Sequence, residues 1–97
     1  MPATLKKIRV IVVDDEPLEI NLIKMCIDWK HFNMEIVGSA ENAVLGLDLV
    51  EELSPDILFT DINMPIIDGI KFSEMVIQKC PKTKIVILSG YDDFKYV

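Results

Sequence analysis

Short apolar runs alternate along this chain with longer segments whose apolar residues recur every three or four positions. Ile8 to Val13 is apolar almost throughout, as are the strand-like runs Asp56 to Thr60 and Lys84 to Leu88, the last with Ile-Val-Ile-Leu at its centre. Runs of this kind suit parallel strands buried on both faces. Met34 to Ser39 is a fourth, alternating strand that ends at Gly38 and Ser39. Between the runs the period changes. Leu18, Leu22, Met25, Cys26 and Trp29 predict a first helix with these residues inward, Pro17 in its first turn and Asp15 or Glu16 as its cap. A second helix is expected from about Asn42 to Leu53, stopped by Ser54 and Pro55. Gly46 should weaken it by about 1 kcal/mol. Asp68 can cap a third helix carrying Phe72, Met75 and Val76 inward, with Pro81 at its end, and Tyr91 to Val97 reads as the first turns of a fourth. The order βαβαβαβα predicts a parallel sheet with helices on both faces.

Composition narrows the partners. With 97 residues there is room for one domain, and no repeat or Gly/Ser linker divides it. A net charge of -6 argues against direct nucleic acid binding by this segment and against an anionic membrane surface, since both require a basic face. The longest apolar run is too short to span a bilayer, and Met1 to Arg9 lacks the order of a secretory signal, so the expected location is cytoplasmic. Cys26 and Cys80 match no metal-ligand spacing and are expected to be reduced and packed. His31, the one histidine, has no second base nearby and reads as a loop or capping residue.

The chemistry sits at the strand ends. Asp14 and Asp15 close the first run and Asp61 closes the third. Parallel neighbours deliver such residues to one sheet edge, where ligands of open α/β sheets bind. Two carboxylates about 4 Å apart repel by roughly 4 kcal/mol at an effective dielectric near 20, so three together call for a cation or a proton. Oxygen-only ligands favour a hard metal, Mg²⁺ above all. A carboxylate held beside such an ion can attack phosphorus. Asp61, alone at its strand end before a long loop, suits the nucleophile, and Asp14 and Asp15 suit the metal. Asn63 can offer its backbone carbonyl to the ion, and the Ser89 hydroxyl is placed to bond a phosphate oxygen, with Gly90 allowing close backbone approach. Each feature alone is ordinary, because acids near a helix N-terminus are worth only about 0.3 to 1 kcal/mol and strand-to-loop aspartates are common. Three acids and a hydroxyl at the ends of three strands are what packing alone does not require.

These residues resemble the receiver domain of bacterial two-component response regulators. Asp61-Ile62-Asn63-Met64-Pro65-Ile66-Ile67-Asp68-Gly69 is similar to the family's phosphoacceptor strand end and loop, Val12-Val13-Asp14-Asp15-Glu16-Pro17 to its acidic pair, and Leu88-Ser89-Gly90 to its switch-hydroxyl strand end. The resemblance implies a flavodoxin-like doubly wound sheet of strand order 2-1-3-4. It implies phosphate transfer from a histidine kinase to Asp61, and direct Mg²⁺ binding by Asp15, Asp61 and the Asn63 carbonyl with Asp14 helping through water. Ser89 would close onto the phosphate, and Asn63 and Tyr91 would tune its loss to water. Ile27-Asp28-Trp29 through Glu41-Asn42-Ala43, and Ser89 to Phe94, are similar to receivers joined to AraC-type helix-turn-helix transcription regulators, which implies a transcriptional output domain outside this sequence.

The family's receivers go on to complete a fourth helix and to add a fifth strand, with its phosphate-pairing lysine, and a fifth helix. This sequence stops at Val97, so residues 1–97 are expected to be a receiver truncated within its fourth helix. Strand four would then be an open sheet edge, prone to strand exchange or to homodimer formation. Two other classes compete with the phosphoacceptor switch. One is a Mg²⁺-dependent phosphohydrolase or nuclease, which needs a second acid or base close after the nucleophile, where Ile62 and Asn63 stand instead. The other is a phosphate-independent interaction module in which the apolar edge is the function.

Overall fold

The first strand, β1 (Ile8–Val13), shows how the fold is assembled: Val10, Ile11, Val12 and Val13 are each 0% exposed, so the strand is covered on both faces. The computed structural model describes residues 6–88. Its elements follow in the order β1, α1 (Pro17–Cys26), β2 (Met34–Ala40), α2 (Ala43–Leu53), β3 (Ile57–Asp61), α3 (Gly69–Lys79) and β4 (Lys84–Leu88). The four strands form one parallel sheet in the order β2-β1-β3-β4, the doubly wound arrangement expected. Among the described residues no helix is long and apolar enough to cross a membrane.

Side chains alternate between faces along a strand, and here they build two cores. Ile11 and Val13 join Leu58, Val50, Phe72 and Val76 beneath α2 and α3. Val10 and Val12 join Ile20 of α1 on the opposite face, with Ile57, Phe59 and Trp29 around them. Trp29 meets Phe59 edge-on, with ring centroids 5.6 Å apart.

Helix boundaries follow capping chemistry. The Asn42 side chain accepts the Leu45 N–H at 2.8 Å and the Asp68 side chain accepts the Lys71 N–H at 2.8 Å, each satisfying one donor that the first turn leaves open. Ser54 ends α2 in the left-handed region, φ 44°, with its N–H on the Val50 carbonyl.

Three expectations need correction. In α1 the stripe Leu18, Leu22, Met25, Cys26 lies outward, with Leu18 74% and Met25 80% exposed, and Trp29 falls beyond the helix end. The helix carries a second apolar pair at helical spacing, Ile20 and Ile23, and the turn out of β1 sets that one on the sheet. Periodicity alone could not rank the two. Gly46 is also more than a weak point in α2. A Cβ there would lie 2.8 Å from Phe72 Cζ and 2.9 Å from Val13 Cγ2, so its absence lets α2 settle against β1 and α3. Cys26 and Cys80 are free as expected, but Cys26 is exposed rather than packed. The helix expected from Tyr91 to Val97 lies outside the described residues.

Candidate functional site

Strand register delivers two of the expected acids to one place. β1 and β3 are adjacent and pair Val13 with Thr60, so the residues that follow, Asp14 and Asp61, stand side by side at the C-terminal edge of the sheet. This edge is also where the winding reverses, since β1 is followed first by β2 on one side and then by β3 on the other. The Asp14 N–H extends the β1–β2 ladder onto the Ala40 carbonyl at 3.1 Å. Asp14 is 1% exposed. Asp61 is half-buried and is the last residue of β3, paired in register with Leu88 of β4.

Carboxylate oxygens of Asp14, Asp61 and Glu19 all come within 4.8 Å of one another. At that separation each pair of charges repels by about 3 kcal/mol at an effective dielectric near 20. The crowding appears in the acidities. Burial, then a hydrogen bond with the Glu19 side chain, and the charges of Glu19 and Asp15 raise Asp14 to about 7, against a downward pull from the Glu16 backbone N–H. Burial and the charge of Asp14 also raise Asp61, while hydrogen bonds from the backbone of Asn63 and Ile62 hold it down. Among the described residues the ion pairs are Lys71 with Glu74 and Lys79 with Glu51, so no basic side chain offsets the cluster.

The expected site residues are thus placed unequally. Asp14 and Asp61 meet. Asp15, half-buried, is not in the closest group, but its charge acts on both and it lines a groove with Glu41, Asn42 and Pro65. Asn63 is exposed on the loop that leaves β3, its backbone bonded to the Asp61 side chain. Ser89, Gly90 and Tyr91 lie outside the described residues. Glu16 occupies the N-cap position of α1, one of the two residues expected there, but makes no side-chain cap bond, and its own N–H donates to Asp14 Oδ1 at 2.9 Å in the turn that leads into the helix. Glu19 was not anticipated. The signal for it was its position in the first turn after a strand ending in acids, where the chain folds back over the sheet edge. His31 sits in the turn between α1 and β2, edge-on to Phe32, as expected of a loop residue.

The loop after Asp61 is held by a close backbone approach. The Gly69 N–H donates to the Ile62 carbonyl at 2.7 Å, and a Cβ on Gly69 would lie only 1.9 Å from the Asp61 carbonyl oxygen. Only glycine fits, so α3 begins directly against the strand end that carries Asp61.

Residues 10–97 match the response regulator receiver domain family. The chain is 40% identical over 89 residues to the transcriptional regulatory protein BtsR of Escherichia coli K12, and 33% identical over 91 residues to the transcriptional regulatory protein DegU of Brevibacillus brevis. Those matches cover 90% and 94% of this chain but 36% and 38% of the relatives, so the chain spans little more than a third of their length. Among solved structures, the REC domain of AraT from Geobacillus stearothermophilus superposes with TM-score 0.82 at 38% identity, covering 91% of this chain and 68% of that one. A two-component transcriptional regulator AraC from Clostridium phytofermentans gives TM-score 0.83 at 28% identity, covering 93% and 70%. Because the matched span begins within β1 and runs through every later element, the likeness is to the fold as a whole, and the chain belongs to the response regulator receiver domain family.

Proposed function

We propose that the chain is a phosphoacceptor switch in which Asp61 takes a phosphoryl group from a histidine kinase. The observation that carries this reading is the meeting of Asp14 and Asp61 at the reversal point of the sheet, with no basic side chain to offset them among the described residues. An all-oxygen, acid-rich donor set of this kind fits Mg²⁺. Asp14, Asp15, Asp61 and the Asn63 carbonyl are the groups that would hold it. When bound, the ion would offset the charge of the acids and of the incoming phosphoryl oxygens.

The chain's own residues supply positioning. Backbone hydrogen bonds from Ile62 and Asn63 orient the Asp61 carboxylate, and Gly69 lets α3 brace its strand end. A carboxylate oxygen of Asp61 then forms a bond to phosphorus as the bond to the donor imidazole nitrogen breaks, and the electron pair leaves with the imidazole. Ser89 would receive a phosphoryl oxygen. The switch acts on an output domain, for which transcriptional control is proposed because BtsR and DegU are transcriptional regulatory proteins. A net charge of -6 leaves DNA contact to that domain. Residence in the cytoplasm and self-association along β4, the outermost strand on its side of the described sheet, belong to the same proposal.

The test is incubation with acetyl phosphate and MgCl₂ followed by intact mass measurement. The protein should gain the mass of one phosphoryl group, and Asp61→Asn should gain none. Equal labelling of both would overturn the assignment.

A further inference from the structure

We propose that Glu19 is a further acid of the divalent-cation site and sets its affinity for Mg²⁺. The inference rests on the proposed function and deepens it, since Glu19 is not among the groups that the family resemblance places on the metal. Geometry singles it out. Glu19 lies in the first turn of α1, and its carboxylate comes within 4.8 Å of oxygens of both Asp14 and Asp61. Asp14 is only 1% exposed, its carboxyl faces this cluster, and among the described residues it has no Lys or Arg partner. Apart from the Glu16 N–H on its Oδ1, the Asp14 carboxyl meets other acids, whose charge a divalent cation would offset, and Glu19 is the exposed member of the three.

An acid in a first helical turn also complements the helix dipole, and that role alone would leave metal affinity untouched. The two roles separate by magnitude. A unit charge about 5 Å from a divalent ion, screened much as in water, is worth about a tenfold change in affinity. The gain is largest at low salt, because the side chain is exposed.

Isothermal titration calorimetry with MgCl₂ at low ionic strength tests this on the protein and on its Glu19→Gln, Glu19→Ala and Asp61→Asn variants. Circular dichroism verifies that each is folded. Both Glu19 variants should bind Mg²⁺ about tenfold more weakly. Dissociation constants for both within twofold of the parent, alongside a large loss in Asp61→Asn, would overturn the role of Glu19 while sparing the site. Unchanged binding in all three variants would overturn the proposed metal site together with it.

Discussion

Replacing Asp14 by Asn should stabilise the metal-free protein at neutral and alkaline pH. The substitution keeps the oxygen that accepts the Glu16 N–H at 2.9 Å and removes a charge buried to 1% exposure beside Glu19 and Asp15. Asp14 rises from 3.8 to about 7 on folding, so the folded state prefers its protonated form. That preference supports the fold fully below about pH 4 and is lost as pH climbs through about 7. Over roughly three pH units, at about 1.4 kcal/mol each, the parent gives up on the order of 4 kcal/mol that the Asn variant does not. This is a large share of the roughly 5 to 15 kcal/mol typical of a domain. Urea unfolding read by the fluorescence of Trp29, the single tryptophan, measures it directly. The parent and Asp14→Asn should agree in stability near about pH 4 and diverge in favour of the variant by about pH 8, and saturating MgCl₂ should close the gap. A difference that does not vary with pH, or a variant less stable than the parent at alkaline pH, would refute the reasoning.

The same acidity governs the metal. Mg²⁺ must displace the proton on Asp14, so its apparent affinity, by calorimetry, should fall as pH drops below about 7, up to about tenfold per unit, and should plateau above it. Gly69→Ala places a Cβ 1.9 Å from the Asp61 carbonyl oxygen, so the strand end must move. The cost should be about 3 kcal/mol in urea unfolding, with phosphorylation by acetyl phosphate lost even where the protein remains folded. Gly46→Ala drives a methyl group onto Phe72 and Val13 at 2.8 and 2.9 Å and should destabilise by about 1 to 3 kcal/mol. Its added methyl meets Val13 and Phe72 and none of the acids, so the phosphorylation rate of its folded fraction should fall far less than that of Gly69→Ala.

Much of the fold could be read from the sequence because its signals are local and redundant. β1 and β4 appear with the boundaries that their apolar runs suggest, and Asn42 and Asp68 cap α2 and α3 as their side chains allow. What failed was any question decided by neighbours distant in the chain. The apolar residues of α1 offer two stripes of similar spacing, and only the path from β1 through Pro17 chooses Ile20 over Leu18 and Leu22. Gly46 reads as a weak helix residue until Phe72 and Val13 are seen against it. At the site, the adjacency of Asp14 and Asp61 follows from strand order, which the alternation of elements nearly dictates. Glu19 escaped notice because its nearness to Asp61 depends on how steeply α1 folds back over the sheet edge.

Reductive trapping tests the central claim most directly. An aspartyl phosphate is reduced by borohydride to homoserine, so the protein is treated with acetyl phosphate and MgCl₂, reduced, digested and sequenced by mass spectrometry. Homoserine at position 61, and at neither 14 nor 15, is the expected result. Homoserine at one of those two, or phosphorylation-dependent reduction nowhere, would contradict the account.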